Sequence, residues 1–260
     1  MEYFLKTGYI DLESTFNCGQ CFRWQNVGEN TFAGWSGSRK IIVRQEKEGI
    51  ILQNVEKSDI PYWSDYFCVD EDYESLKQTF SQDSTLKSAC DFAPGIRLLR
   101  QDSFETLISF IISQNNNIKR ITCIIERLCE QFGENGTFPT PARLSCLEKS
   151  DLSPLRAGFR DRYILDAAKK VESGKISLDE IEKMPYNIAK SELMKIVGVG
   201  EKVADCVLLF GFHRLEAFPK DVWIKRVLSE FYPNGLPACT AGYEGIAQQF
   251  LFHFIRNREE

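Results

Sequence analysis

The spacing of apolar and polar positions changes character once along the chain. Up to about residue 58, aromatic and β-branched residues come in short runs. Turn-forming clusters break these runs at Gly28-Glu29-Asn30, Ser36-Gly37-Ser38 and Lys47-Glu48-Gly49. Such a stretch reads as strands, with Thr31–Trp35, Lys40–Arg44 and Ile50–Leu52 forming an antiparallel meander. From about residue 60 the period becomes helical. Leu107, Ile108, Ile111 and Ile112, then Ile118, Ile121, Ile124, Ile125 and Leu128, recur near 3.6 residues. That spacing predicts two helices within Phe104–Phe132, interrupted at Gln114-Asn115-Asn116-Asn117. Further helices fit Tyr163–Glu172, Ile188–Ile196, Glu201–Phe212, Val222–Phe231 and Tyr243–Asn257. The expectation is an α+β protein: an N-terminal antiparallel β domain over residues 1–95, then a mostly helical domain over 96–260.

Composition narrows the class. A chain of 260 residues, 43% hydrophobic and 27% charged, has ample core for one large domain or two small ones. No apolar run reaches membrane-span length, and the start, MEYFLKTGYI, lacks a basic segment followed by an apolar one. The expectation is a soluble monomer with no membrane partner, in a prokaryotic cytosol. Nine cysteines without regular spacing, several in apolar helical contexts (Cys123, Cys129, Cys206), fit reduced thiols. Cys18-x-x-Cys21 would need two more ligands for zinc, and the chain has only His213 and His253. Cys206 and Cys239 stand too far apart for an iron–sulfur cluster, so no metal site is expected.

A net charge of −5 looks unfavourable for nucleic-acid binding. Its distribution changes that picture. Residues 1–95 hold nine Lys/Arg against fifteen Asp/Glu, whereas 96–260 hold 23 against 22. The helical part can therefore build a local basic face with few phosphate contacts.

The chemistry concentrates in IVGVGEKVADCVLLFGFHRLEAFPKD, residues 196–221. Gly198-Val199-Gly200 forms a turn whose backbone N–H groups can hold a phosphate. Lys202 follows in the first turn of an apolar helix. Burial and the positive end of a helix both disfavour an ammonium, which makes a lysine there a candidate nucleophile. Asp221 stands where the next helix starts, and could balance a cationic transition state. Each residue also has a plain reading: a helix-joining turn, a solvated or phosphate-binding lysine, and an N-cap. In combination they resemble the helix-hairpin-helix DNA glycosylases, whose signature is this hairpin, a Gly/Pro-rich loop and an aspartate. The lysine is similar to that of the bifunctional glycosylase/lyase branch. The β-then-helical order resembles its 8-oxoguanine group, over roughly residues 16 to 254.

The resemblance implies an enzyme acting on damaged double-stranded DNA. It would extrude 8-oxoguanine opposite cytosine, cut the glycosidic bond through a Lys202 Schiff base, and nick the strand by β-elimination. No redox or organic cofactor is implied; the hairpin carbonyls could hold a monovalent cation. Asn115 would fill the space left by the extruded base, Arg120 and Arg160 would contact the orphaned partner, and Phe159 would wedge the duplex. 8-Oxoguanine differs from guanine chiefly in an N–H donor at N7 and a carbonyl at C8. A backbone carbonyl facing N7 is a fixed acceptor, and Gly19, in Phe16–Trp24, falls where it should be. Gln248 could pair with the Watson–Crick edge, Phe252 could stack on one face, and Cys206, four residues after Lys202, could supply the other. The plain readings are an asparagine turn, core aromatics, a strand turn and a buried thiol.

One position departs from the pattern. Trp223 stands where animal members carry a histidine that assists a phosphate contact. Two other readings remain at this stage. One is the same superfamily acting on alkylated purines or oxidised pyrimidines; the other is a non-catalytic DNA-binding module.

Overall fold

The computed structural model describes residues 1–258. Five strands come first: β1 (Glu2–Lys6), β2 (Trp24–Gly28), β3 (Thr31–Ser36), β4 (Arg39–Glu46) and β5 (Gly49–Gln53). They form one antiparallel sheet in the order β1-β5-β4-β3-β2. The three strands of the expected meander are present and paired in sequence, with Phe32 opposite Val43 and Arg44 opposite Ile51. β3 alternates partly and fully buried positions, as a strand with one packed face must.

The strand reading of the first 58 residues requires one correction. Leu12–Asn17 is a helix, α1, sitting between β1 and β2. It is six residues long, too short to show a period, and its start is set by Asp11, whose side chain accepts from Ser14 N–H at 3.0 Å.

The helices α2 (Ile60–Tyr66), α3 (Tyr73–Phe80) and α4 (Ser84–Phe92) follow. Then come α5 (Ser103–Ser113), α6 (Ile118–Phe132), α7 (Pro141–Ser145), α8 (Asp161–Glu172) and α9 (Leu178–Lys183). The last are α10 (Tyr186–Leu193), α11 (Glu201–Gly211), α12 (Val222–Phe231) and α13 (Glu244–Asn257). α5 is buried almost all round, so it is the central helix of the bundle. α6 is amphipathic, with Ile121, Ile124, Ile125 and Leu128 inward. None of the helices among the described residues is long and apolar enough to cross a membrane.

Two cores result. The smaller lies between the sheet and α1–α2, built on Ile10, Leu12, Phe16, Ile41, Leu52, Trp63 and Phe67. Phe16 stacks on Trp24 at 4.0 Å between centroids, and the Trp24 indole N–H donates to Tyr66 Oη at 2.9 Å. The larger fills the helical bundle and takes in α3 and α4, together with Cys18 and Phe22 from the loop before β2.

That loop joins the cores. Gln20 is fully buried; its Nε2 donates to the carbonyls of Thr15 (2.9 Å) and Arg97 (2.7 Å), and its Oε1 accepts from Leu99 N–H (2.9 Å). Arg23 reaches Glu105 on α5 at 3.1 Å and the Gly136 carbonyl at 2.6 Å. Glu105 also accepts from Gly37 N–H at 2.7 Å. Burial pushes the Glu105 carboxyl up to about 7, against the opposing pull of Arg23.

A buried pair of this kind is destabilising to break, because the survivor is left uncompensated. Glu105→Ala should cost about 3–5 kcal/mol in urea unfolding. A loss within about 0.5 kcal/mol, as for a surface change, would show that the pair does not hold the two cores together.

Candidate active site

The hairpin is set by the helices around it. α10 ends at Leu193, the chain turns through Met194–Gly200, and α11 begins at Glu201. Gly198 has φ +84°, and a Cβ there would lie 2.4 Å from the Tyr163 ring. Only glycine permits that approach. α8 grips the turn from behind: Asp166 accepts from Val197 N–H at 2.7 Å, and Lys170 donates to the Lys195 carbonyl at 2.7 Å. Buried Asp205 on α11 accepts from Tyr186 Oη at 2.6 Å and pairs with Lys190 at 3.0 Å, which fixes α10 against α11.

α11 carries Lys202 and Cys206 into a cavity of about 720 Å³. The same cavity is lined by Gly19, Asn115, Gly200, Asp221, Gln248 and Phe252. Its parts come from the loop after α1, the α5–α6 junction, the hairpin, the start of α12 and the middle of α13. Lys202 Nζ lies 5.2 Å from the centroid of Phe110, whose ring stacks on Phe210. Asp221 caps α12, accepting from Ile224 N–H at 2.8 Å, so its plain role holds as well. Burial raises the Asp221 pKa, and the Ile224 N–H and the Lys202 charge oppose the rise. Burial also pushes the Cys206 thiol up to about 11.

Gln248 is buried with its amide oriented. Its Nε2 donates to the Pro219 carbonyl at 3.3 Å, and its Oε1 accepts from Gln249 Nε2 at 2.6 Å. Gln249 Oε1 lies 3.2 Å from Cys18 Sγ, which continues the chain of contacts to the residue before Gly19. Gly19 has φ +81°, and a Cβ there would meet the Phe252 ring at 3.5 Å. Gly19, Gln248 and Phe252 therefore enclose a slot with a hydrogen-bonding edge and an aromatic wall. Lys202 and Asp221 face the same space.

Gly198, Val199, Arg120, Phe159 and Arg160 are not among the residues lining the cavity. Gly198 and Val199 form the turn itself, with buried Val199 donating its N–H to the Ile196 carbonyl at 3.0 Å. The asparagine run divides its work: Asn117 caps α6, Asn116 donates to the Ile112 carbonyl at 3.2 Å, and Asn115 is exposed with φ +47°. Phe159 is 48% exposed, which removes the core-aromatic reading. Arg120 is exposed, with Nη2 3.3 Å from the Arg156 carbonyl. Arg160 is buried. Its donors go to the backbone carbonyls of Gln114, Asn115 and Ala157, so it holds the asparagine turn in place. Trp223 is half-buried and lines the cavity. Sequence reasoning missed Gln20, Gln249, Phe110 and Tyr163, which act through packing that local pattern does not reveal. No cluster of three or more His, Cys, Asp or Glu suited to a metal exists among the described residues.

Residues 3–107 match the 8-oxoguanine DNA glycosylase N-terminal domain, and residues 108–236 match the HhH-GPD superfamily of base excision DNA repair proteins. The N-glycosylase/DNA lyase of Saccharomyces cerevisiae is 34% identical over 85% of this chain and 68% of its own length. The chain belongs to the 8-oxoguanine DNA glycosylase family. Membership makes it an enzyme of the N-glycosylase/DNA lyase class, not the non-catalytic module that a hairpin alone allowed. Among solved family structures, the Clostridium acetobutylicum 8-oxoguanine glycosylase/lyase superposes with a TM-score of 0.90 at 32% identity, covering 100% of this chain and 99% of that one. That structure holds double-stranded DNA with cytosine opposite 8-oxoguanine. MBOgg1, solved with a low affinity DNA ligand, gives 0.93 at 37% identity, over 100% and 96%. The chain spans 59% and 66% of the length of an archaeal and a plant glycosylase/lyase relative.

Cys206 lines the slot as a thiol, not a nucleophile. Alkylation at neutral pH should label exposed Cys123 and Cys146 first and spare Cys206, as read by peptide mass spectrometry. Early labelling of Cys206 would reverse that assignment.

Proposed function

We propose that the enzyme extrudes 8-oxoguanine from duplex DNA into the slot between Gly19, Cys206, Gln248 and Phe252 and excises it through Lys202. One observation carries the reading: the amine of Lys202 and the carboxylate of Asp221 face the same cavity as that slot. The Gly19 carbonyl would accept from N7–H, which guanine lacks. The Gln248 amide would read the Watson–Crick edge. The Lys202 amine, in its neutral form, bonds to C1′ while the C1′–N9 bond breaks, and its electron pair leaves with the base, which is then protonated. Asp221 balances the positive charge that develops on the sugar. Opening of the sugar ring gives an imine between Lys202 and C1′. Loss of a C2′ proton then expels the 3′ phosphate oxygen and nicks the strand.

Lys202 disfavours the alkylated-purine reading, because a cationic base leaves without an amine nucleophile. Phe159 would enter the stack, Asn115 the vacated space, and Arg120 would face the partner base. No organic or redox cofactor enters this reading. A monovalent cation beside a phosphate would be held by the hairpin carbonyls, of which that of Lys195 already accepts from Lys170. The chain would act as a monomer.

The test is borohydride trapping on a duplex with one 8-oxoguanine opposite cytosine. The native chain should form a covalent adduct. Lys202→Gln should form none and release no base, yet still bind the duplex. Turnover in that variant would remove the lysine from the chemistry.

The raised Asp221 pKa sets a sign for pH. The ionised form is the active one, so the single-turnover rate should fall on acidification at a pH above the ordinary aspartate range. Asp221→Asn should be slow and lack this limb. A limb that survives the substitution belongs to another group.

A further inference from the structure

We propose that Arg256 is a catalytic residue that stabilises the negative charge on the departing base; this rests on the excision reading above. When the C1′–N9 bond breaks, its electron pair stays with the base, which leaves as an anion before water protonates it. Asp221 carries the same sign of charge, and the Lys202 amine is committed to C1′. Donors for the leaving base must come from elsewhere in the cavity.

Three further cationic side chains line it: Lys220, Lys225 and Arg256. Lys220 and Lys225 are exposed, where water and salt screen them. Arg256 is partly buried, and its guanidinium makes no hydrogen bond or ion pair among the described residues. Its direction is defined by its neighbours. The guanidinium carbon lies 6.0 Å from the centroid of the Phe252 ring. Burial raises the Asp221 carboxyl and the Cys18 thiol, and the Arg256 charge opposes both rises, so it stands within electrostatic reach of each.

Gln248, Phe252 and Arg256 are spaced by four along α13 and form one stripe of that helix. With Gln248 at the Watson–Crick edge and Phe252 on the face, the five-membered ring of the base, with N9 and O8, points along the stripe towards Arg256. That is the end at which the electron pair arrives. A guanidinium has several donors and keeps its proton, so it stabilises the anion by hydrogen bonds alone. Donors fixed in place before the reaction act on charge that develops in the transition state.

The test compares two duplexes, one with 8-oxoguanine and one with a preformed abasic site, each opposite cytosine. Only the first expels a base. In Arg256→Gln, single-turnover excision of 8-oxoguanine should fall by about 100-fold, while nicking at the abasic site keeps its rate. Arg256→Lys retains the charge and should recover part of the loss. Arg256→Met retains packing against Phe252 without charge and should recover none. Equal slowing on both duplexes identifies a phosphate contact or a structural role and overturns the proposal. So does excision at the native rate in Arg256→Gln, or recovery in Arg256→Met equal to that in Arg256→Lys. Excision by the native chain tests the underlying reading separately, so the two failures are told apart.

Discussion

The site depends on one buried amide. Gln20 satisfies its side chain entirely within the protein: three partners come from α1 and from the segment 97–99, and Cys18 Sγ is a fourth at 3.3 Å. A buried polar group left without partners is expensive, so the loop from Cys18 to Cys21 has one placement that avoids the penalty. That placement sets Gly19 against Phe252, at the far end of the chain. Gln101 closes the arrangement by donating to the Gln20 carbonyl at 2.8 Å. No strand residue lines the cavity; the sheet serves as the anchor from which one backbone segment is presented to the helical bundle.

The hairpin shows a second use of the same economy. Its turn is tight because Gly198 rests on an aromatic ring, and rigid because Asp166 and Lys170 bind its backbone from α8. Asp205 locks the flanking helices from inside. The first turn of α11 is thereby oriented before any ligand arrives. A nucleophile placed there needs little reorganisation to reach a reacting carbon. Asp221 is similarly pre-set, since the bond that caps α12 also fixes its carboxylate.

Long, strongly periodic elements were readable in the chain. α12 has the bounds that its apolar spacing predicts, and the break between α5 and α6 falls on the asparagine run. The slot residues were readable through a family pattern, because Gly19 and Gln248 mean nothing locally. α1 was not readable: six residues give no period, and its identity rests on one cap. The employment of Arg160 was not readable either. Two of its three partners, the carbonyls of Gln114 and Asn115, lie 46 and 45 positions away in sequence. Side-chain type shows what a group can donate, and only the packed structure shows where the donors are spent.

Cys18 and Gln249 meet across a sequence separation of 231 residues. The cavity is thus closed by segments far apart in sequence, and Lys202 and Asp221 come from between them. No short contiguous segment contains the slot. Without α13 the cavity would keep Lys202, Asp221, Gly19 and Cys206 but lose Gln248 and Phe252. The slot is therefore complete only when α13 is packed against the loop after α1.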